Sequence, residues 1–380
     1  MVMNHGKQTP LPVERDIAMD SLRSFAVILV IFIHAALAYT SFSRYNPYDY
    51  VNSMVPVVDP HRWPALDWPF SLAYLFTIPL LFLISGLFVF PGLDRKGSAG
   101  FFVSRLRRLG VPFIVSAFLL SPLAFWPSYL MAKHDSPTPY WIRYFTTDGW
   151  LIGAAWFLWV LLAFDGIVAL VHHVVPAILE KLRREPTALV ISLVTIVAFV
   201  PMGLFTAPDR WVTRLGPFDV QPGKVPLYFA YFLLGMALGS GQKWRRAGWP
   251  QHWGYWGLGG MVSFLIYGFT GGDAAGLAIQ VVNRTAFAIS CAGICLGLLG
   301  VFRKFVQKRS AMLNSLNDNA FGIYLFHYPI VHWLQYLLTS LSWPAWLKFC
   351  AVFAGGLAMS WGASHWLRVL RARLPYRRTD

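Results

Sequence analysis

This sequence predicts an all-α, polytopic integral membrane protein of about ten transmembrane helices with both termini cytoplasmic. Three observations carry that expectation. Hydrophobic residues make up 56% of the 380 and charged residues only 13%, with a mean hydropathy of +0.51, whereas a soluble domain is about 25% charged. Apolar runs of about 17–25 residues recur between polar breaks, the length a helix needs to cross a bilayer. The alternation of membrane β-strands is absent, so internally bonded helices are left to satisfy the backbone in lipid.

The spans fall near 17–42, 68–91, 105–127, 151–174, 187–206, 225–241, 252–270, 278–301, 316–340 and 345–367. The first is almost wholly apolar except for Asp20, Arg23 and His34; it is too long for a signal-peptide core and has no small-residue cleavage site. The second ends in Ser85-Gly86, small residues that let helices approach closely. The third opens with Arg105, Arg107 and Arg108, and the fourth carries Trp156-Phe157-Leu158. The fifth is uniformly apolar, the sixth short and the seventh rich in glycine. The eighth holds Arg284, Cys291 and Cys295; the ninth runs from Asn317 through Tyr324 and His327; the tenth contains Cys350. Residues 1–16 and 368–380 are read as a cytoplasmic N-terminal segment and a basic cytoplasmic tail flanking a transmembrane domain of 17–367.

Basic residues orient the chain. The N-terminus, the tail and the alternate loops at 92–108, 181–184, 243–246 and 303–309 carry 22 of the 32 lysines and arginines, against nine on the opposite side. The positive-inside rule therefore places both termini in the cytoplasm. The net charge of +15 is mostly this bias and does not indicate a nucleic-acid partner. Three cysteines, two of them four apart on one helix, form no disulfide framework. There is no Cys/His metal spacing and no glycine-rich phosphate loop, so no metal and no tightly bound cofactor are expected.

Arg23 and His34 are the costliest residues to place. Eleven positions apart, they share one stripe of a helix with roughly 16 Å of rise between them. Snorkelling or pairing with Asp20 would account for Arg23, and a helix-packing hydrogen bond for His34, but neither explains the shared stripe. Ionisable groups inside a membrane span are functional candidates. The arginines at 105, 107 and 108 serve either as topogenic charge or as an anion site, since guanidinium forks suit phosphate. The loop from Ser43 to Trp68 interleaves Tyr45, Tyr48, Trp63 and Trp68 with carboxylates, a pattern suited to sugar rings and equally to an interfacial aromatic belt.

Together, Leu22-Arg23 with His34 after ten residues, Phe82-Leu83-Ile84-Ser85-Gly86, Arg105-Leu106-Arg107-Arg108-Leu109 with Pro112, and Gly322-Ile323-Tyr324-Leu325-Phe326-His327 resemble the acyltransferase-3 family of membrane acyltransferases. Trp156-Phe157-Leu158 is similar to its glucan biosynthesis protein C subgroup. The likeness runs from about Asp16 to Arg373; Asn317 and Asn319 stand where members are often serine-rich. The resemblance implies a ten-helix enzyme of the bacterial cytoplasmic (inner) membrane. It would move an acyl group, acetyl or succinyl, from cytoplasmic acyl-CoA as co-substrate to a hydroxyl of an extracytoplasmic carbohydrate or glycolipid. His34 matches the family's catalytic histidine and Arg23 its essential arginine. Arg105, Arg107 and Arg108 would then hold the donor's phosphates, and a neutral His34 would be the general base. Tyr324, His327 and Arg284 are candidates for the oxyanion or the acceptor. The competing class is a proton-coupled secondary transporter in which Arg23 binds an anion and His34 relays protons; the absence of a detectable repeat weighs against it.

Overall fold

The structure is a computed structural model, and it describes residues 16–133, 137–213, 215–241, 249–271 and 276–373. Lys7, Arg15, the basic loop at 243–246 and the end of the tail beyond 373 lie outside the described residues. Among those described there is no strand beyond isolated bridges at Val212–Val220 and Leu215–Pro217; the rest of the regular structure is helical. The helices are α1 (Ile17–Leu37), α2 (Asp67–Gly86), α3 (Val89–Arg105), α4 (Val111–Val115), α5 (Ser121–Met131), α6 (Tyr140–Thr146), α7 (Trp156–Val174), α8 (Pro176–Glu180), α9 (Ala188–Phe205), α10 (Val225–Gly239), α11 (Trp253–Phe269), α12 (Leu277–Phe305), α13 (Ala311–Thr339) and α14 (Ala345–Arg373).

Among the described residues, six helical stretches are long and apolar enough to cross a membrane: Ile17–Leu37, Pro64–Gly86, Val89–Met131, Gly153–Val174, Ala188–Phe205 and Leu277–Phe305. Helices α10 and α11, of 15 and 17 residues, fall short in length, and α13 and α14 are long but more polar. The protein is thus an all-helical integral membrane protein.

Several boundaries differ from the hydropathy reading, among them α2, which ends at Gly86 rather than 91, and α13, which begins at Ala311 rather than 316. Helix α1 stops at Leu37, five residues early, where Thr40 donates back to the Leu37 carbonyl (3.2 Å) and meets Ser43 Oγ at 2.6 Å. Such hydroxyls compete with the helical ladder. The third helical rod is far longer than 105–127. It runs from Val89 to Met131, broken at Gly97 (φ +67°), with wider i→i+5 turns at Leu106–Gly110 and Ser116–Leu120. Each wide turn lies just before a proline, Pro112 and Pro122. A proline lacks an N–H and collides with the carbonyl four residues back, so the preceding turn opens. The fourth helix begins at Trp156; residues 149–155 form buried irregular backbone and a short 3-10 turn instead. Helix α14 continues past 367, through Arg368 to Arg373.

The core is apolar and interhelical, with α1 in contact with α2, α12, α13 and α14. Helices α2 and α10 meet backbone to backbone: a Cβ on Gly235 would lie 2.0 Å from the Leu83 carbonyl oxygen, and one on Gly86 2.2 Å from that of Phe232. Gly86 therefore does what small residues do between membrane helices, while Ser85 donates to the Leu81 carbonyl (2.8 Å) and lines the cavity described below. Gly235→Val should force α2 and α10 apart, at a cost of about 1–3 kcal/mol, read as a lower unfolding temperature in detergent. A variant as stable as the parent would contradict this contact.

Candidate active site

The stripe predicted on α1 faces α13, and the two helices run parallel. At one end Arg23 pairs with Asp20 (3.0 Å) and reaches the Asn317 carbonyl at 3.4 Å. Beside it Ser24 Oγ donates to Asn317 Oδ1 (2.6 Å), and Asn317 Nδ2 donates to Ser21 Oγ (3.1 Å). Three turns further on, His34 Nδ1 lies 3.2 Å from His327 Nε2. Gln335 Nε2 closes the seam by donating to the His34 carbonyl at 2.8 Å and to that of Ala35 at 3.2 Å.

Backbone carbonyls determine where the ring protons sit. His34 Nδ1 is 2.8 Å from the Val30 carbonyl oxygen, and His327 Nδ1 is 2.5 Å from that of Tyr324. A carbonyl oxygen only accepts, so each of these nitrogens carries hydrogen. Both neutral rings are therefore Nδ1–H tautomers. The Nε2 of His34 has no hydrogen-bond partner among the described residues, and that of His327 turns its lone pair toward His34. Tyr328 stands edge-on to His34, ring centroids 5.0 Å apart, and packs against His332 at 4.1 Å. The imidazole of His332 in turn donates to the Ala124 carbonyl (3.1 Å).

A cavity of about 890 Å³ opens beside this seam. Its wall includes Arg23, Arg95, Lys96, Arg105, Arg108 and Arg303 against the carboxylates of Asp16, Asp20 and Asp318, and its far end reaches Tyr324, one turn before His327. Several of these cations are already paired. Arg303 forms a bidentate bridge to Asp16 (2.6 and 2.9 Å), and Arg105 Nε lies 3.5 Å from the carboxylate of Asp165. Lys96 donates to Ser104 Oγ (2.7 Å), and Arg95 and Arg108 have no salt bridge among the described residues. The cavity thus keeps an anion-seeking rim.

The other sequence candidates are distributed as follows. Arg107 is exposed and does not line the cavity, whereas Arg105 and Arg108 on either side of it do. Tyr324 donates its hydroxyl to the Ala154 carbonyl. Arg284 donates to Gly203 O (3.3 Å) and Asn283 Oδ1 (3.2 Å), on the α9–α12 side. In the outer loop Tyr45 is tied to the Ser128 carbonyl (2.6 Å), Trp63 packs on Phe349 of α14, and Trp68 on Phe264 and Phe269 around α11. Tyr48 alone of these four is largely exposed, with Lys133 over its ring. The loop is pinned by Asp59, whose carboxylate takes Lys348 Nζ at 2.7 Å, both fully buried.

The irregular segment at 149–155 abuts the site. Gly153, at φ +56°, lies so close to the Tyr328 ring that a Cβ would sit 2.2 Å from it. Ile152 N–H donates to Asp219 Oδ2 (3.2 Å); burial pushes that carboxyl up to about 6 despite this bond. Sequence reasoning missed Asp165, His332 and Gln335, although each is a polar residue inside an apolar run and the logic applied to His34 covers them. It counted Arg95, Lys96 and Arg303 only as topogenic charge.

A family model described as an acyltransferase domain matches residues 16–365. Glucans biosynthesis protein C of Salmonella gallinarum is 24% identical over 334 residues, covering 84% of this chain and 83% of its own length. The proteins of the same name from Salmonella schwarzengrund (24% over 335 residues) and Salmonella typhi (23% over 334) cover the same shares. No solved structure matches the chain.

Asp165 is fully buried, and neither carboxylate oxygen has a hydrogen bond. Removing one member of a buried pair costs about 3–5 kcal/mol, whereas removing both is far milder. Arg105→Met should therefore destabilise the protein in detergent, and the Arg105→Met/Asp165→Leu double variant should recover most of that loss in thermal unfolding. Additive losses would show that the two groups do not depend on each other.

Proposed function

Because the chain belongs to this acyltransferase family, we propose that it is an O-acyltransferase carrying acetyl or succinyl groups from cytoplasmic acyl-CoA to a hydroxyl of an extracytoplasmic carbohydrate. The names of the relatives favour a glucan as acceptor. The bacterial inner membrane is the proposed location, crossed ten times, with α10, α11, α13 and α14 completing the six most apolar stretches and both termini inside.

The observation that carries this reading is the axis formed by the cavity and the histidine pair. One end of the cavity offers Arg95, Lys96 and Arg108 to the phosphates of the donor, and Arg23 to the same polyanion further in. The other end reaches Tyr324, one helical turn before His327, the partner of His34, and the thioester would be presented from there. His34 Nε2, with its lone pair free, takes the proton of the acceptor hydroxyl as that oxygen attacks the thioester carbonyl. The C–O bond forms and the C–S bond breaks, and the departing sulfur receives the proton from His34. Donor handle and base thus lie at opposite ends of one helix pair, which suits a reaction whose two substrates arrive from opposite sides of a membrane.

Purified protein should release free thiol from acetyl-CoA or succinyl-CoA. His34→Ala should lower that turnover by about 10²–10⁴, and Arg108→Ala should raise the donor KM about tenfold with little change in kcat. Retained turnover in His34→Ala would rule out the base. Mass spectrometry of surface glycans from cells with and without the gene should reveal a lost ester; substrate uptake without thiol release would support transport instead.

A further inference from the structure

We infer that His327 is the positioning partner of His34, a neutral hydrogen-bond acceptor that plays the part a carboxylate plays in a Ser-His-Asp triad. The inference rests on the acyl-transfer reading above and assigns His327 a task distinct from contacting the oxyanion or the acceptor.

Three facts lead there. His327 is fully buried on α13, and its Nδ1–H is consumed by the Tyr324 carbonyl at 2.5 Å. It therefore has no proton to offer a developing oxyanion. Its one remaining polar atom, Nε2, points at His34 Nδ1 across 3.2 Å. The Nδ1–H of His34 is thereby shared between the Val30 carbonyl at 2.8 Å and the His327 lone pair.

This arrangement has a direct consequence for proton transfer. When His34 Nε2 accepts the hydroxyl proton, the ring becomes an imidazolium and its Nδ1–H becomes a far stronger donor. Two acceptors, one carbonyl and one imidazole nitrogen, already face it. They stabilise the cation where it forms without first having to reorganise. They also hold the tautomer that leaves Nε2 free, as the buried carboxylate does in the triad. A neutral partner suits this depth, because a carboxylate would need its own desolvation offset. The other polar rings against the pair are Tyr324, Tyr328 and His332. The Tyr324 hydroxyl and the His332 Nδ1–H are spent on backbone carbonyls, and Tyr328 meets His34 in a near-perpendicular ring contact (83°). None of these three competes for the Nδ1 proton.

The test uses the full-length protein in detergent with acetyl-CoA. His327→Ala should lower kcat at least 100-fold with the donor KM within about threefold of the parent, assayed below its own lowered unfolding temperature. His327→Gln supplies an amide oxygen that can accept from His34 Nδ1 but cannot form an imidazolium; it should recover at least tenfold of that loss. A His327→Gln variant no better than alanine, or an alanine variant with parental kcat, overturns the assignment. Loss of thiol release from the parent protein would count against acyl transfer rather than against the pairing. A second measurement needs no turnover: ¹⁵N shifts of histidine-labelled protein should show both His34 and His327 as Nδ1–H tautomers, with the His34 signal changing in His327→Ala. A neutral His34 protonated on Nε2 overturns the pairing.

Discussion

A polar side chain among apolar helices must find its partner on another helix, and in this protein the seam between α1 and α13 meets that constraint. Ser21, Ser24 and Arg23 meet Asn317; His34 meets His327; the His34 and Ala35 carbonyls meet Gln335. Without water to compete, each such bond is costly to leave unmade. The seam therefore sets the register of two helices that are close to 300 residues apart in the chain. Once that register is set, the position of the cationic cavity and of the imidazole pair follows.

Irregular backbone concentrates around the same place. The widened turns at 106–110 and 116–120 lie along the Val89–Met131 rod, where Arg105 and Arg108 line the cavity and Arg107 does not. The segment at 149–155 gives up helical hydrogen bonds and recovers them one at a time: Tyr144 and Ser121 donate to the carbonyls of Leu151 and Ile152, Tyr324 to that of Ala154, and Ile152 N–H to Asp219. Non-helical backbone at this depth survives only where protein or a cavity satisfies it. It also brings Gly153 against Tyr328, and so fixes the ring that flanks His34.

Charge is handled the same way. Of the cations on the cavity wall, Arg23, Arg105 and Arg303 form salt bridges with Asp20, Asp165 and Asp16, while Arg95 and Arg108 form none among the described residues and Arg108 feels Asp20 only at longer range. The paired groups shape the wall and the unpaired ones give it affinity for an anion. One basic stretch, 95–108, therefore holds both kinds.

The sequence by itself determined the class of protein, the place of each main helix and the two residues most in need of explanation. Hydropathy and small residues are local or additive along the chain, and they carry through to the structure with shifted helix ends, as at Leu37, Val89, Trp156 and Arg373. The Arg23–His34 stripe was legible because helical periodicity alone puts both on one face. Only the tertiary structure decided that this face looks at α13, that Asp165 holds Arg105, that Arg284 belongs with α9, and that His327 lies against His34. Those pairings depend on which helices pack together and in what register, a three-dimensional property that no spacing within one helix records.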